Sequence, residues 1–383
     1  MNPAHSFPLL IKPVSADCNL RCRYCFYLDH LRFYPAAAEH RMSDVTLERL
    51  ISGYMATDQA AYTFIWQGGE PTLLGLEFFR RVTDLQRKYG RPGAVVANML
   101  QTNATLITDE LARHFAQYRF LIGVSLDGPP DVHDRYRRTL DGAGTHAEVS
   151  RGIERLRRHG VEFNILTLVT EANAGRAREI YRYFCDQGML YHQYIPCVEF
   201  DAQGRLRPYS VGGEAWGRFL CELFDEWKVR DTRRVSVRLF DSIIRKLVLG
   251  RPADCHMDSD CRHYFVVEYN GDVYPCDFFV TRELKLGSIF TDAWPQLRQS
   301  PVYAEFGARK AALARACGNC RYLALCNGDC PRLHAAVNDF PTAPGVLCPG
   351  WRSFFERTLS DFGRLAAEVR TELKSVLPAG RSG

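Results

Sequence analysis

No stretch of the 383-residue chain is both apolar and long enough to span a bilayer, which argues against a transmembrane helix. Met1 to Phe7 lack the basic and apolar regions of a secretory signal. Charge of one sign is scarce as well. The 49 Lys and Arg against 44 Asp and Glu leave a formal charge of +5, too small an excess to demand a nucleic-acid or membrane partner. These absences point to a cytoplasmic protein. That compartment keeps thiols reduced, so the 14 cysteines are expected to bind metal rather than pair as disulfides. The apolar fraction of 46% is ordinary for a globular chain, and the length allows one large domain and a smaller one.

What is present begins with Cys18, Cys22 and Cys25, spaced C-x3-C-x2-C directly after the apolar run Phe7 to Val14. The run reads as a buried strand, so the cysteines lie on the loop at its C-terminal end. Barrel-type α/β folds keep their chemistry on such loops. Thiolates are soft ligands that suit iron–sulfur clusters or zinc. Three on one loop can hold three irons of a four-iron cluster and leave the fourth open to a small molecule. A structural zinc site closes with a fourth ligand, and no His or Cys follows before His30.

Strand and helix patterns then alternate. Strands are expected at Ala61 to Trp66, Ala94 to Leu100, Phe120 to Leu126, Glu162 to Val169 and Tyr191 to Ile195. Helices are expected after Ser43 and at Leu76 to Tyr89, Ile107 to Tyr118, Ala147 to His159 and Ala174 to Gln187. With the first strand this gives six β/α units, hence a parallel sheet in an open, partial (β/α)6 TIM-like barrel to about residue 200. The repetition is of secondary structure only; no sequence is duplicated. Val211 to Val229 and Val235 to Leu249 read as amphipathic helices. From Asp254 to Cys348 the chain turns cysteine-rich, with short strands and an Asn270-Gly271 hairpin, and reads as a small α+β module dependent on metal. Gly350 to Val376 is a long helix stopped by Pro378, and Ala379 to Gly383 are expected to be disordered. The expected domains are 1–235, 236–348 and 349–383.

Gly68-Gly69-Glu70-Pro71 follows the second strand, and glycines let the polar end of a ligand approach the backbone. Gln101-Thr102-Asn103 and Ser125 to Pro129 end the next two strands, placed either to line a ligand or to cap helices. Arg137 or Arg138 could grip a carboxylate with two hydrogen bonds; a solvated basic face is the alternative. Asp277 reads on its own as a turn residue. Cys255, Cys261, Cys276, Cys317, Cys320, Cys326, Cys330 and Cys348 are the full ligand set for two four-iron clusters, or equally for two zinc ions. Cys185 and Cys221 read as small helix-buried residues without partners.

The Cys18 to Tyr27 segment, Gln67 to Thr72 and Tyr274-Pro275-Cys276-Asp277-Phe278 together resemble the anaerobic sulfatase-maturating enzymes. These are radical S-adenosylmethionine (SAM) enzymes with a SPASM auxiliary-cluster module. The likeness runs through nearly the whole chain; Ala104, where the family is expected to carry Gly, departs from it at a turn. The resemblance implies three 4Fe-4S clusters. Cys18, Cys22 and Cys25 would hold the first, Cys255, Cys261, Cys276 and Cys330 a second, and Cys317, Cys320, Cys326 and Cys348 the third. It implies SAM contacts from Tyr24, Gly68, Gly69, Glu70, Ser125, Arg137 and Val198, and Asp277 as the proton acceptor. The implied reaction turns a Cys or Ser in a Cys/Ser-x-Pro/Ala-x-Arg segment of a sulfatase into Cα-formylglycine, with ferredoxin or flavodoxin as electron donor. The rival readings are a thioether- or C–C-crosslinking peptide modifier and a non-enzymatic zinc-binding interaction module.

Overall fold

The structure, a computed structural model, describes residues 6–28, 34, 39–312, 315–334 and 344–376. His30, Pro378 and the tail 379–383 lie outside the described residues. In chain order the elements are β1 (Leu9–Lys12), α1 (Asp44–Met55), β2 (Ala61–Trp66), α2 (Gly75–Tyr89), β3 (Val95–Thr102), α3 (Asp109–Gln117), β4 (Leu121–Ser125), α4 (Pro130–Tyr136), α5 (His146–Arg158) and β5 (Phe163–Val169). There follow α6 (Ala177–Asp186), β6 (Tyr191–Pro196), α7 (Gly213–Arg230), β7 (Ser236–Val237), α8 (Arg238–Leu249), β8 (Phe265–Glu268), β9 (Asp272–Tyr274) and β10 (Gly287–Ser288). The last are α9 (Trp294–Gln299), α10 (Pro301–Ala308), α11 (Arg315–Gly318), α12 (Leu323–Cys326) and α13 (Cys348–Val376).

Two compact units divide these elements, residues 1–166 with 261–307 and residues 167–260 with 308–383. In the first unit β1 to β4 and the start of β5 pair in parallel, in sequence order. Ser43 caps α1 by accepting from the Thr46 amide, and Leu47, Leu50, Ile51 and Tyr54 of that helix are buried. Phe64, Trp66, Phe79, Phe115 and Phe120 form the apolar layer between sheet and helices. The β8–β9 hairpin, expected within the cysteine-rich module, extends this sheet: β8 pairs in parallel with β1. The reason lies in the burial pattern, since every residue of β1 and of β8 is buried and each needs a neighbour for its backbone. The register sets Lys12 opposite Glu268.

The cysteine-rich stretch also departs from the expectation of short strands alone. Residues 294–308 form α9 and α10, because Trp294, Leu297, Tyr303 and Phe306 present a buried helical face. A short helix not among those expected, α4, follows Pro129, with Pro130 in its first turn, where a proline suits a helix. Residues 235–237, expected as helix, instead enter α8 through β7, which pairs with β6. In the second unit α7, α8 and α13 pack through Phe224, Trp227, Phe240, Phe354 and Phe362. Gly217 permits the closest approach there: a Cβ on it would lie 2.6 Å from Gly350 Cα. Cys185 on α6 and Cys221 on α7 are half-buried rather than sealed in.

Candidate active site

The loop after β1 is fastened on both sides. Arg21 N donates to Arg138 O at 2.8 Å and Arg23 N to Tyr136 O at 3.1 Å. On the other side Gly69 N reaches Ser15 O and Glu70 N reaches Asp17 O, both at 2.8 Å. Space explains the glycines. A Cβ on Gly69 would lie 1.9 Å from Asp17 O, and Gly68 has φ +114° with a Cβ site 2.5 Å from Ser15 O. The close approach that the Gly pair allows is thus made by the cysteine loop's own backbone.

Glu70 is wholly buried and ties three segments together. Its Oε1 accepts from Thr72 N, Thr72 Oγ1 and Thr102 Oγ1 at 3.0, 2.6 and 2.8 Å, and its Oε2 from Asn103 N at 2.7 Å. Burial outweighs those donors and raises its pKa. Both oxygens are engaged by protein groups.

Asn103 continues onto the cysteine loop through Asn19 Oδ1 at 2.9 Å and Cys18 Sγ at 3.7 Å. The Leu20 amide also donates to Cys18 Sγ, at 3.3 Å. Burial pushes the Cys18 thiol up to about 12 and the Cys22 thiol up to about 11, the latter opposed by Arg137. Buried thiolates therefore need positive charge, which iron supplies, and N–H donors onto sulfur are what cluster ligands receive. The donor set fits a cluster.

Arg137, Tyr24 and Asp127 meet beside this loop. Arg137 grips Asp127 with Nε at 3.0 Å and Nη2 at 3.3 Å, and Tyr24 donates to the same carboxylate. The Arg137 guanidinium lies over the Tyr24 ring, 5.4 Å from its centroid. Burial opposes the Arg137 charge, but Asp127, Tyr24 and Cys22 more than restore it. Behind them the Asp127 amide donates to His133 Nδ1 at 3.3 Å, which leaves Nε2–H to face Thr145 Oγ1 at 3.1 Å. Thr145 in turn donates to Arg137 O at 3.0 Å. Arg138 is exposed and bonds Gly142 O. Ser125, ending β4, accepts from Gln101 Nε2 at 3.0 Å.

Asp277 is buried in a short turn that is closed without it, by Phe279 N to Cys276 O at 3.1 Å. Its carboxylate instead reaches two other loops. Oδ2 accepts from Tyr27 OH and, at 3.3 Å, from Gln67 Nε2. Oδ1 is buried with no hydrogen-bond donor and faces Lys12 Nζ at 3.6 Å. Burial, with Asp277 next, raises the Tyr27 pKa well above its ordinary value. Sequence reading singled out neither Lys12 and Glu268 nor the roles of Tyr27, Gln67, Asp127 and His133. For Lys12 and Glu268 a signal existed: each is a charged residue ending an otherwise apolar strand.

Cys261 and Cys276 also belong to the first unit, where Tyr264 OH lies 3.5 Å from Cys276 Sγ. Cys255 and Cys330 belong to the second unit, as does Val198, buried after β6. The second unit holds a 340 Å³ cavity whose lining includes Cys317, Cys320, Cys326 and Cys348. That is about ten times the volume a water occupies, room for a group larger than a single ion. These are the four cysteines that the resemblance gathers in one set.

The Radical SAM superfamily profile matches residues 13–184, and that of the SPASM iron–sulfur cluster-binding domain matches residues 255–321. The serine-type anaerobic sulfatase-maturating enzyme of Bacteroides thetaiotaomicron is 36% identical, over 91% of this chain and 88% of its own. The chain belongs to the anaerobic sulfatase-maturating enzymes. The cysteine-type member from Clostridium perfringens is also 36% identical, over 91% of this chain and 95% of its own. The solved structure described as native anSMEcpe with bound AdoMet and Cp18Cys peptide superposes with a TM-score of 0.88 at 34% identity, covering 94% of this chain and 99% of that one. As a sulfatase-maturating enzyme the chain is a radical SAM enzyme that uses SAM and 4Fe-4S clusters. The partial barrel expected from the β/α alternation is the radical SAM fold, and a SPASM domain follows it. Among the described residues no helix is long and apolar enough to cross a membrane.

Proposed function

We propose that this chain oxidises a Cys or Ser of a sulfatase polypeptide, within a Cys/Ser-x-Pro/Ala-x-Arg segment, to Cα-formylglycine. The observation that carries the reading is the Asp277 carboxylate. It is buried, directed by Tyr27 and Gln67 through one oxygen, and left with the other oxygen as an open acceptor. A cluster held by Cys18, Cys22 and Cys25, with SAM bound beside it, would supply hydrogen-atom abstraction from the target β-carbon. Asp277 Oδ1 takes the thiol or hydroxyl proton. Tyr27 and Gln67 keep Oδ2 occupied, so the proton has one destination. Arg137, fixed by Asp127, presents the charge that suits the SAM carboxylate. Tyr24, Gly68, Gly69, Glu70, Ser125 and Val198 complete the proposed SAM site. Of these, Glu70 serves by holding the Gly68-Gly69 turn in place. The auxiliary cysteines would hold clusters able to accept the electron left on the substrate, and ferredoxin or flavodoxin would be the outside donor to the first cluster. Residues 1–235 would carry the radical chemistry, 236–348 the auxiliary clusters and 349–383 the closing helix and tail.

The test is anaerobic incubation with Cys and Ser versions of the target peptide, followed by mass spectrometry. Formylglycine from Cys exchanges sulfur for oxygen and loses two hydrogens, whereas a crosslink keeps the sulfur. Asp277→Asn is expected to lose about 100-fold or more of formylglycine formation while still releasing 5′-deoxyadenosine. Wild-type turnover by that variant removes Asp277 from the role.

A further inference from the structure

Beside Asp277 the first unit buries a group of charges that strand pairing alone does not require. Lys12 and Glu268 face each other across β1 and β8, both completely buried, with Lys12 Nζ 2.6 Å from Glu268 Oε1. Asp277 Oδ1 is also buried, without a hydrogen-bond partner. Burying an ion pair costs more desolvation than burying two apolar side chains of the same size. An apolar pair would serve the β1–β8 junction at least as well, so the charges answer to something else nearby.

What lies nearby is the base. The Lys12 ammonium is 3.6 Å from Asp277 Oδ1 and 5.0 Å from the centroid of the Tyr27 ring, whose hydroxyl donates to Asp277 Oδ2. Lys12 therefore bears on both edges of the Asp277 carboxylate. At 3.6 Å it attracts Oδ1 by charge without taking up a lone pair, so Oδ1 stays an acceptor. Glu268 fixes the ammonium in turn, since Nζ has this carboxylate at shorter range. Ser15, on the loop that follows β1, flanks Glu268.

We propose that Lys12, anchored by Glu268, is a positioning residue that sets the Asp277 carboxylate with Oδ1 open to the substrate. The proposal rests on the reading of Asp277 as acceptor of the substrate proton. The experiment compares the wild type with Lys12→Met, Glu268→Gln and the double variant. It measures formylglycine formed per 5′-deoxyadenosine released, the peptide KM, iron per chain and the melting temperature. Lys12→Met is expected to lower the product ratio by about 10- to 100-fold at unchanged KM and iron content, the effect of removing an outer residue that orients a reacting group. The double variant removes both charges of the β1–β8 pair, so it is expected to recover most of the melting temperature and keep the low ratio. That combination separates positioning from folding, and it carries the test where Lys12→Met alone fails to fold. A wild-type ratio in either Lys12 variant overturns the proposal, as does a ratio that returns together with the melting temperature. A wild type that releases 5′-deoxyadenosine yet makes no formylglycine instead overturns the function on which the proposal rests.

Discussion

The two cysteine-bearing regions are built on opposite plans. The Cys18–Cys25 loop is held by residues far away in sequence: Arg138 and Tyr136 on one side, Gly69 and Glu70 on another, and Asn103 at the Cys18 sulfur. The turns from Cys317 to Cys330 are built largely from near-neighbour backbone bonds and pinned from outside by side chains, Asn327 Nδ2 to Met257 O and Trp351 Nε1 to Asp329 Oδ2, both at 2.6 Å. Cys320 N bonds Cys317 O, Leu323 N bonds Cys320 O, Asn327 N bonds Leu323 O and Asp329 N bonds Cys326 O, each within a few residues. Asn327 and Asp329 even adopt left-handed backbone, at φ 47° and 67°, around Gly328. A loop clamped by neighbours keeps its shape without its metal. Local turns around a cavity, pinned from outside only through side chains, have less to keep them.

The largest expected effect comes from stripping iron under anaerobic conditions and following amide hydrogen exchange. Protection is expected to collapse across 315–334 and the start of α13, while the backbone of 18–25 keeps most of its own. Equal loss in both would break the contrast.

A smaller effect sharpens the account of the clamped side. Burial pushes His133 down to about 3 from an ordinary 6.5. The unfolded chain therefore binds a proton below pH 6.5 that the folded one refuses, and stability falls as pH drops from there towards 3. The stability difference between wild type and His133→Gln is expected to shift by roughly 3 kcal/mol between pH 7 and pH 4, read by denaturant titration. A difference that does not vary with pH would show that His133 is not held neutral.

The smallest effect concerns Ala104. It sits at φ 61°, with its amide on Thr102 Oγ1 at 2.9 Å. Ala104→Gly is expected to stabilise the chain by about 1 kcal/mol in the same titration, because glycine meets no Cβ penalty there. Destabilisation would mean that the lost methyl, buried at 0% exposure, matters more than the turn.

Much of this was legible in the sequence because the signals are local. The 3.6 and 2.0 periodicities gave the β/α alternation to within a few residues, and Ala104 marked its strained turn as a departure from an expected Gly. The cysteine spacings named the candidate ligands. What stayed hidden depends on distant neighbours. Nothing local to Asp277 says that Tyr27 and Gln67 will reach it, and the sequence around it favours a plain turn. The β8–β9 hairpin carries a clear Asn-Gly signal, but that signal does not say which strand edge it will join. Lys12 and Glu268 were each visible as charges ending apolar strands; only the register of β1 with β8 makes them a pair.

That register also fixes when the active site can exist. Tyr27 and Asp277 stand 250 residues apart, an interval that takes roughly 12 to 50 s of ribosomal synthesis. The SAM half thus leaves the ribosome well before Asp277, the residue proposed to receive the proton. A nascent or truncated chain ending ahead of β8 would hold a radical-generating centre with no acceptor behind it. With Asp277 in the proposed role, docking of the hairpin onto β1 is the step that turns cofactor cleavage into directed oxidation.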